Sequence, residues 1–178
     1  NEKSKSLNIK TICCDIEHQT KSLQNSQFDY IFFMDVIEHL RNPMQALENI
    51  RPLLKQSGEL IIHTPNSSSL YKFIRYFLMP RRKKNFYDLN KLGNLHLQSY
   101  DYLTIEQTLN FSGLKVKKII PTKLSIPFFN RFKIFDLFFK CYAFIFPMLA
   151  DTLLLICKKT EPINVDELIE NWKLRFKI

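Results

Sequence analysis

The chain has 178 residues, 46% of them hydrophobic and 24% charged, with only three glycines; this describes one globular unit with a sizeable core and excludes a low-complexity chain. Lysine and arginine number 26 against 17 acids, giving a net charge of +9 and a pI near 9.4. That balance favours an anionic partner (nucleic acid, lipid headgroup or phosphorylated substrate), with plain solubility as the alternative account.

Residues 9–15, IKTICCD, form a short β-branched run ending in an acid and are read as a buried strand. Cys13 and Cys14 lie inside it; with no CxxC and no ligand-like histidine spacing anywhere in the chain, they are read as core residues. The chain begins with Asn, which suggests a fragment or a processed product. No signal peptide is read there, so a reducing cytoplasm is the expected compartment.

FDYIFFMD, 28–35, is a second strand, apolar on both faces as a covered parallel strand must be. Asn42 and Pro43 supply an N-cap and a first helical position. Met44, Leu47, Ile50 and Leu54 then recur at helical spacing, with Pro52 kinking the helix or starting its last turn and Gly58 placed to close it. ELIIHTP, 59–65, is a third strand, and a serine-capped amphipathic helix runs from it into the basic stretch Arg81 to Lys84. Asp101 caps a further helix through Ser112, with Gly113 as its left-handed stop. Strands follow at 114–122 and 150–159, separated by an aromatic-rich helical insertion at about 125–148; residues 161–178 read as a terminal tail helix.

Alternating strands and helices indicate an α/β fold, and in such sheets ligands bind beyond the carboxyl ends of the strands. Asp15, the Asp35–Glu38–His39 group and the run His63 to Asn66 all fall at such ends. None of the four histidines has HxxxH or HExxH spacing, so no metal centre is expected.

Four segments in this order, CCDIEH (13–18), FDYIFFMDVIEHLRNP (28–43), LLKQSGELIIHTPN (53–66) and HLQSYDYLTIEQTLNFSGLKV (96–116), resemble the class I S-adenosylmethionine-dependent methyltransferases. The resemblance spans residues 7 to 120 and implies a Rossmann-like sheet with helices on both faces. It makes residues 1–160 a partial methyltransferase domain, incomplete at its N-terminal side. The resemblance also implies S-adenosylmethionine as cofactor. Asp15 and Ile16 would meet the adenine, and Met34, Asp35 and Val36 would border the cofactor and the methyl acceptor. Asp35 and His39 are the candidate catalytic residues, against readings as a loop cap and as a rim hydrogen-bonding group. His63 and His96 are substrate-side candidates.

The family's Gly-rich loop and ribose-binding acid have no counterpart, because Gly58, Gly93 and Gly113 all lie downstream of Asp15. In the family the strands lie in the order 3-2-1-4-5-7-6. Segment 9–14 would correspond to the third and 28–34 to the fourth, with both intervening strands missing. Segment 9–14 must then either pair directly with 28–34 or lose sheet structure, and the reach of the loop between them favours pairing. The expected activity of the intact enzyme is methyl transfer to a small-molecule or glycolipid-like, lipid-linked anionic acceptor, in preference to nucleic acid; the isolated chain, a truncated form without half of the cofactor site, is expected to be inactive. The alternative is a non-catalytic module binding a partner or a membrane surface. Segment 126–146, rich in phenylalanine with basic flanks, suits either a packing lid or an interfacial helix on an anionic membrane, which would make the protein peripheral.

Overall fold

The computed structural model describes residues 9–18, 23, 26–72, 96–121 and 145–164. The basic stretch 81–84, the aromatic insertion as far as residue 144 and the tail from 165 onward lie outside the described residues. So does most of the helix expected after Ser67.

Four strands form one sheet: β1 (Phe28–Met34), β2 (Leu54–Pro65), β3 (Leu114–Pro121) and β4 (Thr152–Lys159). Their spatial order is β1-β2-β4-β3. β1 and β2 run parallel, whereas β4 is antiparallel to both of its neighbours. This is the 4-5-7-6 half of the order expected from the resemblance.

Two α-helices are described, α1 (Pro43–Ile50) and α2 (Tyr102–Phe111). Asn42 starts α1 as its sequence suggests: its side chain accepts from the Gln45 N–H, and Pro43 occupies the first turn, where a missing N–H costs nothing. The helix ends sooner than its apolar spacing implied. Pro52 lies in a 3₁₀ turn, Arg51–Leu53, and β2 begins at Leu54. Gly58 is therefore inside β2 and not at a helix end. A Cβ there would stand 2.8 Å from the Phe28 carbonyl oxygen, where the β1–β2 register shifts, so only glycine allows this approach. Asp101 and Gly113 behave as expected. Asp101 makes a capping box with Thr104, and Gly113 follows α2 with φ of +69°.

Alternation along the strands divides the sheet into two faces. Phe33, Leu60, Ile62, Leu153, Leu155 and Cys157 are buried on one of them, in a single core with Leu47 and Ile50 of α1 and Ile105 and Leu109 of α2. Both described helices pack here. On the other face of β1, Tyr30 and Phe32 are 59% and 66% exposed, and Met34 is exposed too. No described strand pairs with the outer edge of β1.

Residues 9–15 correct the expected pairing. They form neither a strand nor a ladder with β1, and Ile9 and Ile12 are exposed, as are Cys13 and Cys14. Although the outer edge of β1 is open among the described strands, this run makes no ladder with it, and its apolar side chains are left exposed. Among the described residues no helix is long and apolar enough to cross a membrane.

Candidate functional site

The parallel pair β1–β2 ends in a polar rim. Asp35 directly follows β1 and adopts φ of +52°, a left-handed conformation that aspartate tolerates better than most side chains. Its N–H is held by the His63 carbonyl at 2.9 Å. Its carboxylate Oδ1 lies 2.7 Å from His63 Nδ1, and His63 Nε2 lies 2.9 Å from the Thr152 hydroxyl. With Nδ1–H donating to Asp35, Nε2 accepts from Thr152. The Asp35 side chain is 59% exposed against 22% for His63, so the acid faces solvent and the imidazole stands behind it.

A second group lies on the other side of the rim. The 3₁₀ turn Ile37–His39 buries Ile37 completely and drives Glu38 in beside it, leaving Glu38 2% exposed. The Thr64 hydroxyl donates to Glu38 Oε2 at 3.1 Å. The Glu38 carbonyl accepts from the Leu97 and Gln98 N–H groups at 2.8 and 2.9 Å, which pins the chain after His96 against this turn. His39 and His96 consequently meet edge to face, with ring centroids 4.9 Å apart. Burial, with the Glu38 carboxylate as a second cause, pushes the nearby Tyr100 hydroxyl up to about 12, so it remains a protonated donor at neutral pH. Glu38, His39 and His96 each offer one ligand atom, and the three atoms lie within 4.8 Å of one another.

The structure thus separates the two candidate catalytic residues: Asp35 goes with His63, and His39 goes with His96. Local histidine spacing does not register this grouping, which joins a glutamate, an adjacent histidine and a third residue from a distant loop.

Asp15 and Ile16 lie in a turn docked on the start of α1. Glu17 accepts from the Arg41 and Asn42 N–H groups at 2.6 and 3.2 Å, and Asn49 donates to the Ile16 carbonyl at 2.9 Å. The Asp15 carboxylate accepts from the Glu17 N–H at 2.9 Å and contacts His18 Nδ1 at 3.0 Å. Those hydrogen bonds, the backbone one foremost, hold its pKa below the usual value. Beside this turn lies a cavity of about 310 Å³, lined by Ile16, Leu23, Phe28, Tyr30, Phe33 and Asn49 among others.

A family model described as a methyltransferase domain matches residues 5–119. The chain belongs to the class I S-adenosylmethionine-dependent methyltransferases. Its sheet agrees with solved members of that fold. It superposes with TM-score 0.56 at 13% identity, over 91% of this chain and 68% of the other, on a chain of the complex between the Haloferax volcanii Trm112 methyltransferase activator and a putative methyltransferase. An S-adenosylmethionine-dependent methyltransferase from Clostridium acetobutylicum gives 0.53 at 14% identity, over 90% and 69% of the two chains. At these identities the likeness shows the fold alone. Among curated proteins, a ubiquinone biosynthesis O-methyltransferase of Coxiella burnetii is 40% identical over 60 residues, 34% of this chain. The chain spans about a quarter of the length of that relative, 25%.

The methyltransferase family uses S-adenosylmethionine as methyl donor. In this structure the Asp15 carboxylate, expected at the adenine, is engaged by the Glu17 N–H and by His18. No glycine precedes Gly58 in the sequence, so the Gly-rich loop expected at the methionine end has no counterpart before it.

Proposed function

We propose that the chain carries the acceptor side of a methyltransferase that methylates a hydroxyl group on a small or lipid-linked acceptor, with Asp35 taking the proton. One observation carries the reading: Asp35 is presented to solvent at the β1 terminus, fixed by His63 at 2.7 Å, which is itself fixed by Thr152 at 2.9 Å. Three groups in line from three positions of the sheet hold the carboxylate in one orientation, which is what a proton acceptor needs. S-adenosylmethionine, when bound, supplies an electrophilic methyl group on a sulfonium. The work left to the protein is mostly to align the acceptor oxygen with it. As that oxygen gains the methyl, its proton passes to Asp35, and His63 stabilises the resulting arrangement. His63 acts through Asp35 and is a positioning residue. The partial likeness to an O-methyltransferase supports a hydroxyl acceptor, and the basic composition supports an anionic one.

The test is transfer of radiolabelled methyl from millimolar S-adenosylmethionine to a catechol by the full chain. Asp35→Asn should lower kcat at least a hundredfold. His63→Gln should lower it about tenfold and shift the pH profile, a change that a merely structural role would not produce. Transfer unaffected by Asp35→Asn sinks the assignment of the base. No transfer by the native chain when calorimetry shows S-adenosylmethionine bound would favour a second reading, a methyltransferase-like module that binds a partner, for which the exposed face of β1 is the supporting observation.

A further inference from the structure

We infer that Glu38, His39 and His96 form a binding site for a divalent first-row transition cation, of the kind zinc or cobalt would fill. The first ground is geometric. Their three ligand atoms lie within 4.8 Å of one another, although they come from the turn after β1 and from a loop far down the chain. Ligands around one such cation, at ~2.1 Å from it, stand roughly 3 to 3.5 Å apart. Small side-chain rotations of the two exposed histidines close that difference, since the backbone on both sides is already fixed by the Leu97 and Gln98 hydrogen bonds to Glu38.

The second ground is the burial of Glu38 and the partners it has there. Glu38 is 2% exposed, yet among the described residues no lysine, arginine or histidine makes an ion pair with it. Its described side-chain donor is the neutral Thr64 hydroxyl. Its carboxylate, turned into the cluster with a hydroxyl as its described side-chain donor, keeps acceptor capacity that a bound cation would use. Thr64 then fills the place of the outer hydrogen bond that orients a metal-bound carboxylate.

Two imidazoles and one carboxylate select the metal class. Magnesium and calcium prefer oxygen ligands, whereas imidazole suits zinc, cobalt, iron and nickel. Three protein ligands also leave a coordination position open, and both histidines are exposed, so that position faces solvent. The site lies on the opposite side of the rim from Asp35 and His63, and its existence does not depend on the base assignment. With a cation in place, the turn after β1 and the chain entering α2 would be clasped together at the rim where an acceptor would enter.

The experiment is titration of the metal-free full chain with cobalt(II) chloride, read by visible absorption and by NMR of the four histidines. The expected result is one equivalent bound, with visible d–d bands and with His39 and His96 broadened while His18 and His63 are not. His96→Ala, a change at an exposed loop residue, should raise the apparent Kd at least tenfold; His18→Ala should leave it unchanged. Circular dichroism of His96→Ala separates lost binding from lost folding, and His39→Ala gives a second reading should it be needed. Absence of binding overturns the site. So does binding that survives both His39→Ala and His96→Ala, or an intense near-ultraviolet charge-transfer band showing that Cys13 and Cys14 hold the metal instead.

Discussion

His63 and Thr64 are neighbours on β2, and they hold different acids on opposite faces of the sheet. His63 binds Asp35 at 2.7 Å on the face where β1 is open, while Thr64 donates to Glu38 at 3.1 Å on the core side. Strand alternation alone produces this division. The parallel register that sets Met34 opposite His63 fixes both contacts together, so a slip of one residue would misplace both acids.

Asp35 makes its contact from a left-handed backbone. Asparagine shares the tolerance for that conformation and alanine does not. Asp35→Asn should leave stability nearly unchanged, and Asp35→Ala should lower it by about 1 kcal/mol. Urea denaturation measures both, and equal stabilities would show that the turn stores no such strain.

Asp101 ties the start of α2 through the Thr104 N–H at 2.9 Å. That hydrogen bond is the main cause of its lowered pKa. Because the folded pKa lies below the unfolded one, the contribution is complete above about pH 4 and is lost as pH falls through the folded value. Asp101→Ala should cost about 1 kcal/mol at neutral pH, with the difference from native shrinking toward zero in strong acid. Asp101→Asn should keep the cap at both ends of that range. Stability differences that stay constant from neutral pH to pH ~2 would remove the carboxylate from the explanation.

Burial pushes the Cys157 thiol up to about 12, whereas Cys13 and Cys14 are exposed. The thiolate is the reactive form, so a maleimide should label Cys13 and Cys14 promptly and reach Cys157 only on unfolding. Peptide mapping after timed labelling checks this. Labelling of Cys157 at the rate of the exposed pair would mean that β4 opens readily.

Much of the fold was legible because its signals are local. FDYIFFM could be read as a strand, Asn42–Pro43 and Asp101 as helix starts, and Gly113 as a stop, since each acts within a turn of chain. What escaped depends on distant partners. Gly58 looked like a helix end because the Phe28 carbonyl it must admit lies in another strand. Residues 9–15 have strand composition, yet they pair with no described strand, and composition does not show whether a run will take up a ladder partner. In the site, His63 was visible only as a rim residue. Its partnership with Asp35, like that of Glu38 and His39 with His96, is set by sheet register and loop docking, neither of which leaves a pattern of spacing.

The full chain should bind S-adenosylmethionine only weakly, with a dissociation constant well above the micromolar range. The sequence offers no glycine before Gly58, and Asp15 already spends its acceptors on Glu17 and His18. Calorimetry decides, and a micromolar constant would show that the turn at 15–18 opens to the cofactor. Asp15→Ala should weaken whatever binding is seen.

The outer side of β1 carries a further consequence, for the behaviour of the protein at high concentration. A row of peptide groups that no described strand pairs, beside Tyr30, Phe32 and Met34, is a template on which another extended segment can grow a sheet. Asp29, already held by Lys55 at 2.8 Å, is the only charge within the strand and stands near its beginning, so it guards little of the length. The chain should therefore coalesce into β-rich oligomers as concentration rises, more readily as salt screens its +9 net charge. A lysine placed on the strand by Phe32→Lys should act as a gatekeeper. Light scattering and thioflavin fluorescence across a concentration series would then separate the two proteins. The same row of groups that lets a strand complete a sheet also sets how crowded a solution of it can become.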